Sequence, residues 1–346
     1  MNKKILAICD SEEKYLYKLQ EILEERDSFP FEVAIYTDID ALNKSINHGR
    51  VDVLLISDTL VDRIDIDKTN QTFTLLVVLL DSGSGIRSPG PGIFKYQSGE
   101  MLRKDILRVY SEYISENEDN RPFGGSTLIS RSRDTMLIGI FSPIGRCLQT
   151  SFAVLLGKQL SKDGPTLYLN FEPFAGLSKT LGCESDKDLT DLVYYLRNGS
   201  DRLIYKLESM VCRLGSLDYI APATSFVDLC MVEEADWLTL INTLKRESNY
   251  KYIILDLSEM VTGLLSVLRQ CQLIYTITRI DSRAKAKIEQ YEGLLRDMEY
   301  DDIIDKTKKK EFPIFKNLPD DIQNLEYSEL AVYIQKIVED DFDHGV

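Results

Sequence analysis

Two sets of residues in this chain have the types and spacing that chemistry requires. In the first third, Asp10 follows the apolar run KILAI, Ser57 and Asp58 close VDVLLI, Asp81 follows TLLVVLL, and Lys95 lies just beyond a short fourth run. Carboxylates at strand ends beside a lysine are the parts needed to accept a phosphoryl group. The reaction takes a nucleophilic carboxylate, a divalent cation and a lysine for the phosphoryl oxygens. The second set lies in Met136 to Ala153, MLIGIFSPIGRCLQTSFA. There an apolar strand and a Ser-Pro turn lead to Gly145, and Gln149, Thr150 and Ser151 open an apolar helix. A helix start offers backbone N–H groups to an anion. Asp256 ends the later run YIILD, and Asn170-Phe171-Glu172 follows TLYL.

Composition removes several alternatives. Of the two histidines, His48 stands alone and His344 lies in the tail, which excludes a zinc cluster and a Ser-His-Asp triad. The six cysteines are scattered with no C-x-x-C pair, so they read as small buried hydrophobes and not as disulfides. A formal charge of −15 opposes nucleic-acid binding, which needs a basic stripe. No apolar run approaches the ~18 to 20 residues that span a bilayer. The start, MNKKILAICD, lacks a signal-peptide pattern, so the expected location is cytoplasmic.

The elements that must hold these residues alternate between strand and helix. Strands are expected at 4–8, 31–36, 51–56, 74–80 and 92–96, and helices at 11–25, 39–46 and 101–114, with Ser11 as N-cap of the first helix. Alternation of this kind implies parallel pairing and right-handed crossovers. Residues 116–134 are polar and aperiodic and read as a linker. The pattern then restarts, with strands at 136–141, 166–170, 217–220, 252–257 and 273–278. Helices are expected at 150–160, 187–196, 203–208, 235–246, 282–298 and, as one long element, 320–341. The 346 residues thus divide into domains at 1–115 and 135–346. Lys306 to Lys310, KTKKK, is the only basic cluster and reads as a solvated loop.

The first domain resembles a response-regulator receiver. That resemblance implies an acidic pair after the first strand, but here the pair is Cys9-Asp10. It implies an aspartate phosphoacceptor five residues after Asp52, and that position is Ser57. Asp58 is one residue later, on the opposite face of a strand. Asp81 replaces the hydroxyl after the fourth strand, and Lys95 is kept, placed to pair with Asp10 or Asp81. The expectation is a pseudo-receiver that takes no phosphate.

The second domain resembles the MinD/ParA family of P-loop ATPases, most closely the pilus-assembly, CpaE-like branch, which carries a receiver-like N-terminal domain. The resemblance implies a loop Lys-Gly-Gly-x-Gly-Lys-Thr-Thr. Here those positions hold Ile144, Gly145, Arg146, Cys147, Leu148, Gln149, Thr150 and Ser151. Cβ atoms at 146 and 148 are expected to obstruct the wrap of the loop. Gln149 offers a neutral amide where a cation should meet the phosphates. Ile144 removes the lysine that crosses to a dimer partner's nucleotide. Asn170 and Glu172 stand where the family has Asp-x-Asp. Asp256 survives at the magnesium-holding position, with Thr150 as its companion ligand. No strand ending in an adenine-reading Asn is identifiable in 298–312.

The fold expected is two doubly wound α/β domains, a receiver-like (flavodoxin-like) domain followed by a P-loop NTPase-like one. The function expected is a non-catalytic adaptor or regulator in pilus assembly, secretion or protein localisation. The alternative is an ATP-binding switch with an atypical loop. Neither cofactor nor metal is expected in the first reading; ATP with magnesium on Thr150 and Asp256 belongs to the second. The expected partners are proteins, with a homodimer among them, and neither nucleic acid nor a membrane anchor. The last segment, IVEDDFDHGV, is acidic and is repelled by an anionic leaflet.

Overall fold

The computed structural model describes residues 4–25, 29–46, 51–64, 73–81, 90–116, 135–182, 185–199, 203–315, 318–319 and 321–342. The chain divides into two compact units, Met1–Ser130 with Asp201–Ser209, and Arg131–Ser200 with Met210–Val346. The linker expected at 116–134 falls outside the described residues, apart from Glu116.

The first unit is built on strands β1 (Lys4–Cys9), β2 (Phe31–Tyr36), β3 (Val51–Ser57), β4 (Phe73–Leu80) and β5 (Gly92–Phe94). They form a parallel sheet in the order β2-β1-β3-β4-β5, the arrangement of a doubly wound flavodoxin-like fold. The helices are α1 (Glu13–Glu24), α2 (Ile39–Ile46), α3 (Asp58–Val61) and α4 (Gly99–Glu116). Strand alternation sends Leu6, Ile8, Val53, Leu55, Val77 and Leu79 to one core, with α1 and α4. It sends Ala7, Cys9, Leu54, Ile56 and Val78 to the other, with α2 and α3. Both faces are therefore covered, as a parallel sheet requires. Ser11 is not the N-cap of α1. Glu12 holds that position without a side-chain cap bond; its backbone N–H donates to Asp10 at 2.8 Å and its carboxylate accepts from Lys95 at 2.7 Å.

The second unit contains β6 (Met136–Ile140), β7 (Thr166–Asn170), β8 (Cys212–Leu214), β9 (Leu217–Tyr219), β10 (Tyr252–Asp256), β11 (Leu273–Thr278) and β12 (Thr307–Glu311). The sheet order is β12-β11-β6-β10-β7-β9-β8, parallel except for the β8/β9 pair. Its helices include α5 (Gln149–Leu160), α6 (Leu177–Thr180) and α7 (Leu189–Arg197), and after α8 (Leu203–Met210), which lies in the first unit but for Met210, α9 (Phe226–Met231) and α10 (Glu234–Glu247). They continue with α11 (Leu264–Gln270), α12 (Ser282–Asp297), α13 (Asp301–Asp305) and α14 (Glu329–Phe342). The strand β8 and the short helices α9, α11 and α13 carry too few periodic residues to be read from sequence.

Three expectations change. The KTKKK cluster is not a loop: its last four residues and Glu311 form the edge strand β12, paired with β11. Alternation turns Lys308 and Lys310 to Asp341, at 2.8 and 3.0 Å, and Lys309 to Glu292 at 2.7 Å. The long final helix is broken into a 3-10 turn, Ile322–Tyr327, and α14, because Ser328 is extended between them. Its hydroxyl donates to the Leu325 carbonyl and accepts from the Ala331 N–H. Cys212 is disulfide-bonded, whereas Cys9, Cys147, Cys230 and Cys271 are free thiols.

Candidate functional site

In the first unit, the parallel strands bring Asp10, Ser57, Asp58, Asp81 and Lys95 to one end of the sheet. Lys95 is the centre. Its side chain is 1% exposed, and its Nζ lies 2.8 Å from Asp10 and 2.7 Å from Glu12, with Asp81 at 3.6 Å. Burial alone would lower the Lys95 pKa, but the bonds to Asp10 and Glu12 and the charge of Asp81 hold it above its ordinary value. The ammonium also lies 4.6 Å from the Tyr15 ring centroid. Glu12 was not singled out from sequence; its position two residues beyond Asp10 was the available signal.

Ser57 is buried and its hydroxyl pairs with Thr59 at 2.9 Å. Asp58 opens α3, and its Oδ2 accepts from the Asp81 N–H at 3.2 Å. The strand therefore ends on a hydroxyl where a nucleophilic carboxylate would be needed, and the lysine is already neutralised by two carboxylates.

In the second unit, β6 runs between β11 and β10, and the loop that follows it leads into α5. The Ser142 hydroxyl anchors the loop on the Ile277 carbonyl at 2.6 Å. Gly145, Arg146 and Leu148 all have left-handed backbones, with φ of 69°, 49° and 64°. The side chains at 146 and 148 are both exposed, and the loop carries them on left-handed residues at about 1–2 kcal/mol each. Arg146→Gly and Leu148→Gly are each expected to raise stability, by up to about 1 kcal/mol after the entropy of glycine is subtracted. Urea unfolding of the two variants against the parent chain checks this.

Gln149 is the first residue of α5, and its amide turns inward. Nε2 donates to Asp256 Oδ1 at 2.7 Å and to the Leu257 carbonyl at 2.9 Å, with the Ile140 carbonyl at 3.4 Å. Asp256, 2% exposed, has its other oxygen taken as well. Oδ2 accepts from the Tyr168 hydroxyl and from Asn170 Nδ2, each at 2.9 Å. Burial pushes the Asp256 pKa up against these donors. Burial and the Asp256 charge likewise raise Glu172, which accepts from the Thr150 hydroxyl at 3.3 Å. Asn170 is fixed from its other end, its Oδ1 accepting from the Glu172 N–H.

The sequence-derived residues Gln149, Thr150, Asn170, Glu172 and Asp256 are thus brought together, while Arg146 and Gly145 are exposed and Ser151 lies half-buried in α5. Ile144 packs against the core, and Lys287 donates to the Pro143 and Ile144 carbonyls, each at 3.1 Å. The Thr150 hydroxyl donates to Glu172, and both Asp256 oxygens accept from protein donors. Among the described residues no group of three or more His, Cys, Asp or Glu side chains is placed to hold a metal ion. Tyr168 was missed from sequence; it lies two residues before Asn170 on β7, so period-2 alternation placed both on one face.

Large apolar side chains are exposed in the segments that follow the strands of this sheet. Leu148, Phe174, Phe226, Met260, Ile280 and Ile314 are exposed, and they lie in the connections that leave β6, β7, β9, β10, β11 and β12. Phe174 is 81% exposed, and its ring lies 5.5 Å from that of Phe226.

Residues 1–111 match the family model of the TadZ-like receiver domain. No curated protein matches the sequence. Among solved structures, a ParA family ATPase from Chlorobium tepidum TLS is 21% identical, covering 60% of this chain and 93% of its own, with a TM-score of 0.46. The MinD cell division protein of Aquifex aeolicus is 16% identical over 61% of this chain and 99% of its own, with a TM-score of 0.46. The septum site-determining protein MinD complexed with Mg-ADP, from Pyrococcus horikoshii OT3, is 14% identical over 61% and 98%, with a TM-score of 0.46. Among the described residues no helix is long and apolar enough to cross a membrane.

Proposed function

We propose, from the match of residues 1–111 to the TadZ-like receiver domain, that the chain is a non-catalytic adaptor or regulator of a pilus-assembly, secretion or protein-localisation system. In this reading residues 1–115 are a pseudo-receiver. Residues 135–346, less the segment 201–209, are a pseudo-ATPase domain. The observation that carries the reading is the Gln149 amide on Asp256. It closes inside the protein the two positions that a phosphate site would turn toward its ligand. In this reading a neutral amide at 149 and a carboxylate engaged by protein donors leave the site short of the charge that stabilises a transferring phosphoryl group.

The apolar side chains at the carboxyl ends of the strands support action through protein contacts. Exposed patches of this kind mark interaction surfaces. A second copy of the chain and an unrelated protein are both admissible partners.

The left-handed loop supports a second reading, an ATP-binding switch without hydrolysis, since such turns ahead of a helix can present backbone N–H groups to phosphate. Calorimetric titration of the intact chain with ATP and magnesium separates the two. The adaptor reading expects no saturable heat; micromolar binding would replace it with the switch.

A further inference from the structure

The first unit is completed by a helix from far along the sequence. Helix α8 is counted with the second domain when the sequence is read linearly, yet residues 201–209 belong to the first unit. Tyr205 joins the core beside α1 and α4, with its ring 5.0 Å from Tyr110 and 5.9 Å from Phe31. The Lys4 ammonium lies 5.0 Å from the Tyr110 ring centroid and 5.3 Å from that of Tyr205. Three residues on, one turn along the same helix face, Glu208 meets Arg103 of α4 at 3.2 Å, with both side chains 2% exposed.

We infer that the face formed by Phe31, Arg103 and Tyr110 is a helix-docking site whose occupant is residues 203–210 of the same chain. An eight-residue helix has little stability of its own and needs a seat. The aromatic contacts supply apolar area, and the buried ion pair fixes the register, since a helix shifted by one residue would strand both charges. The pseudo-receiver is therefore a discontinuous domain. Partners of that unit must use its other faces, and its integrity depends on sequence well beyond residue 115.

Hydrogen exchange on the intact chain tests this without reference to nucleotide. Glu208→Ala should speed exchange at least tenfold in β2 and α4 as well as in 203–210, while α5 and β10 keep their protection. Should that variant fail to fold, Glu208→Gln and Tyr205→Ala give the same readout. Faster exchange confined to 203–214, with β2 and α4 unchanged, overturns the inference, and so does no change anywhere.

Discussion

Asp256→Ala is expected to destabilise the second unit by about 3–5 kcal/mol, the range for removing one partner from a buried charged network. The carboxylate accepts from Gln149, Tyr168 and Asn170, and alanine leaves all three donors buried without it. Tyr168 is 1% and Asn170 is 1% exposed, so water cannot substitute readily. Asp256→Asn keeps one acceptor but sets an NH2 against donors, and should cost about 1–3 kcal/mol. Denaturant unfolding followed by a probe in the second unit gives both values. A working phosphate site behaves oppositely: its functional carboxylate is held against stability, and neutralising it costs little or stabilises. A loss under about 1 kcal/mol for alanine would mean that Asp256 is not the internal anchor described here.

Lys95→Met is expected to cost the first unit about 3–5 kcal/mol. It removes the cation from Asp10, whose side chain is 1% exposed. The effect has a pH signature. A carboxylate stranded without its cation favours the protonated form in the folded state, so the folded variant binds more protons than the unfolded chain. Its stability deficit therefore shrinks on acidification and grows as pH rises. The parent chain keeps the ammonium, raised by its contacts, across the same range. Unfolding curves of parent and variant at several pH values check both magnitude and sign. A deficit independent of pH would place the loss in packing against Tyr15 instead of in the ion pair.

The sheets were legible in the sequence because their strands are runs buried on both faces. VDVLLI and TLLVVLL are short, near-continuous apolar runs, as expected of strands buried on both faces. The edges were not. Lysines at 308, 309 and 310 look like solvated loop until Asp341 and Glu292, each distant in sequence, give them partners. Helix α8 was legible as a helix but not as part of the first unit, since Arg103 and Glu208 are 105 residues apart. At the second site the departures from the loop of the family it resembles could be read directly, at Gln149, Asn170 and Ile144. What these side chains do was not plain. A glutamine amide has a choice of acceptors, and only the fold shows that it takes Asp256. A Cβ at 146 or 148 costs energy in a left-handed conformation, but the anchors at Ser142 and α5 hold the turn regardless.

The most direct test of the account is phosphate release from ATP with magnesium by the intact chain, measured beside Gln149→Lys. The account predicts no release above the protein-free blank for the parent chain. It predicts none for Gln149→Lys either, since Ile144, Asn170 and the occupied Asp256 remain. Turnover by the parent chain that is abolished in Asp256→Asn would contradict it.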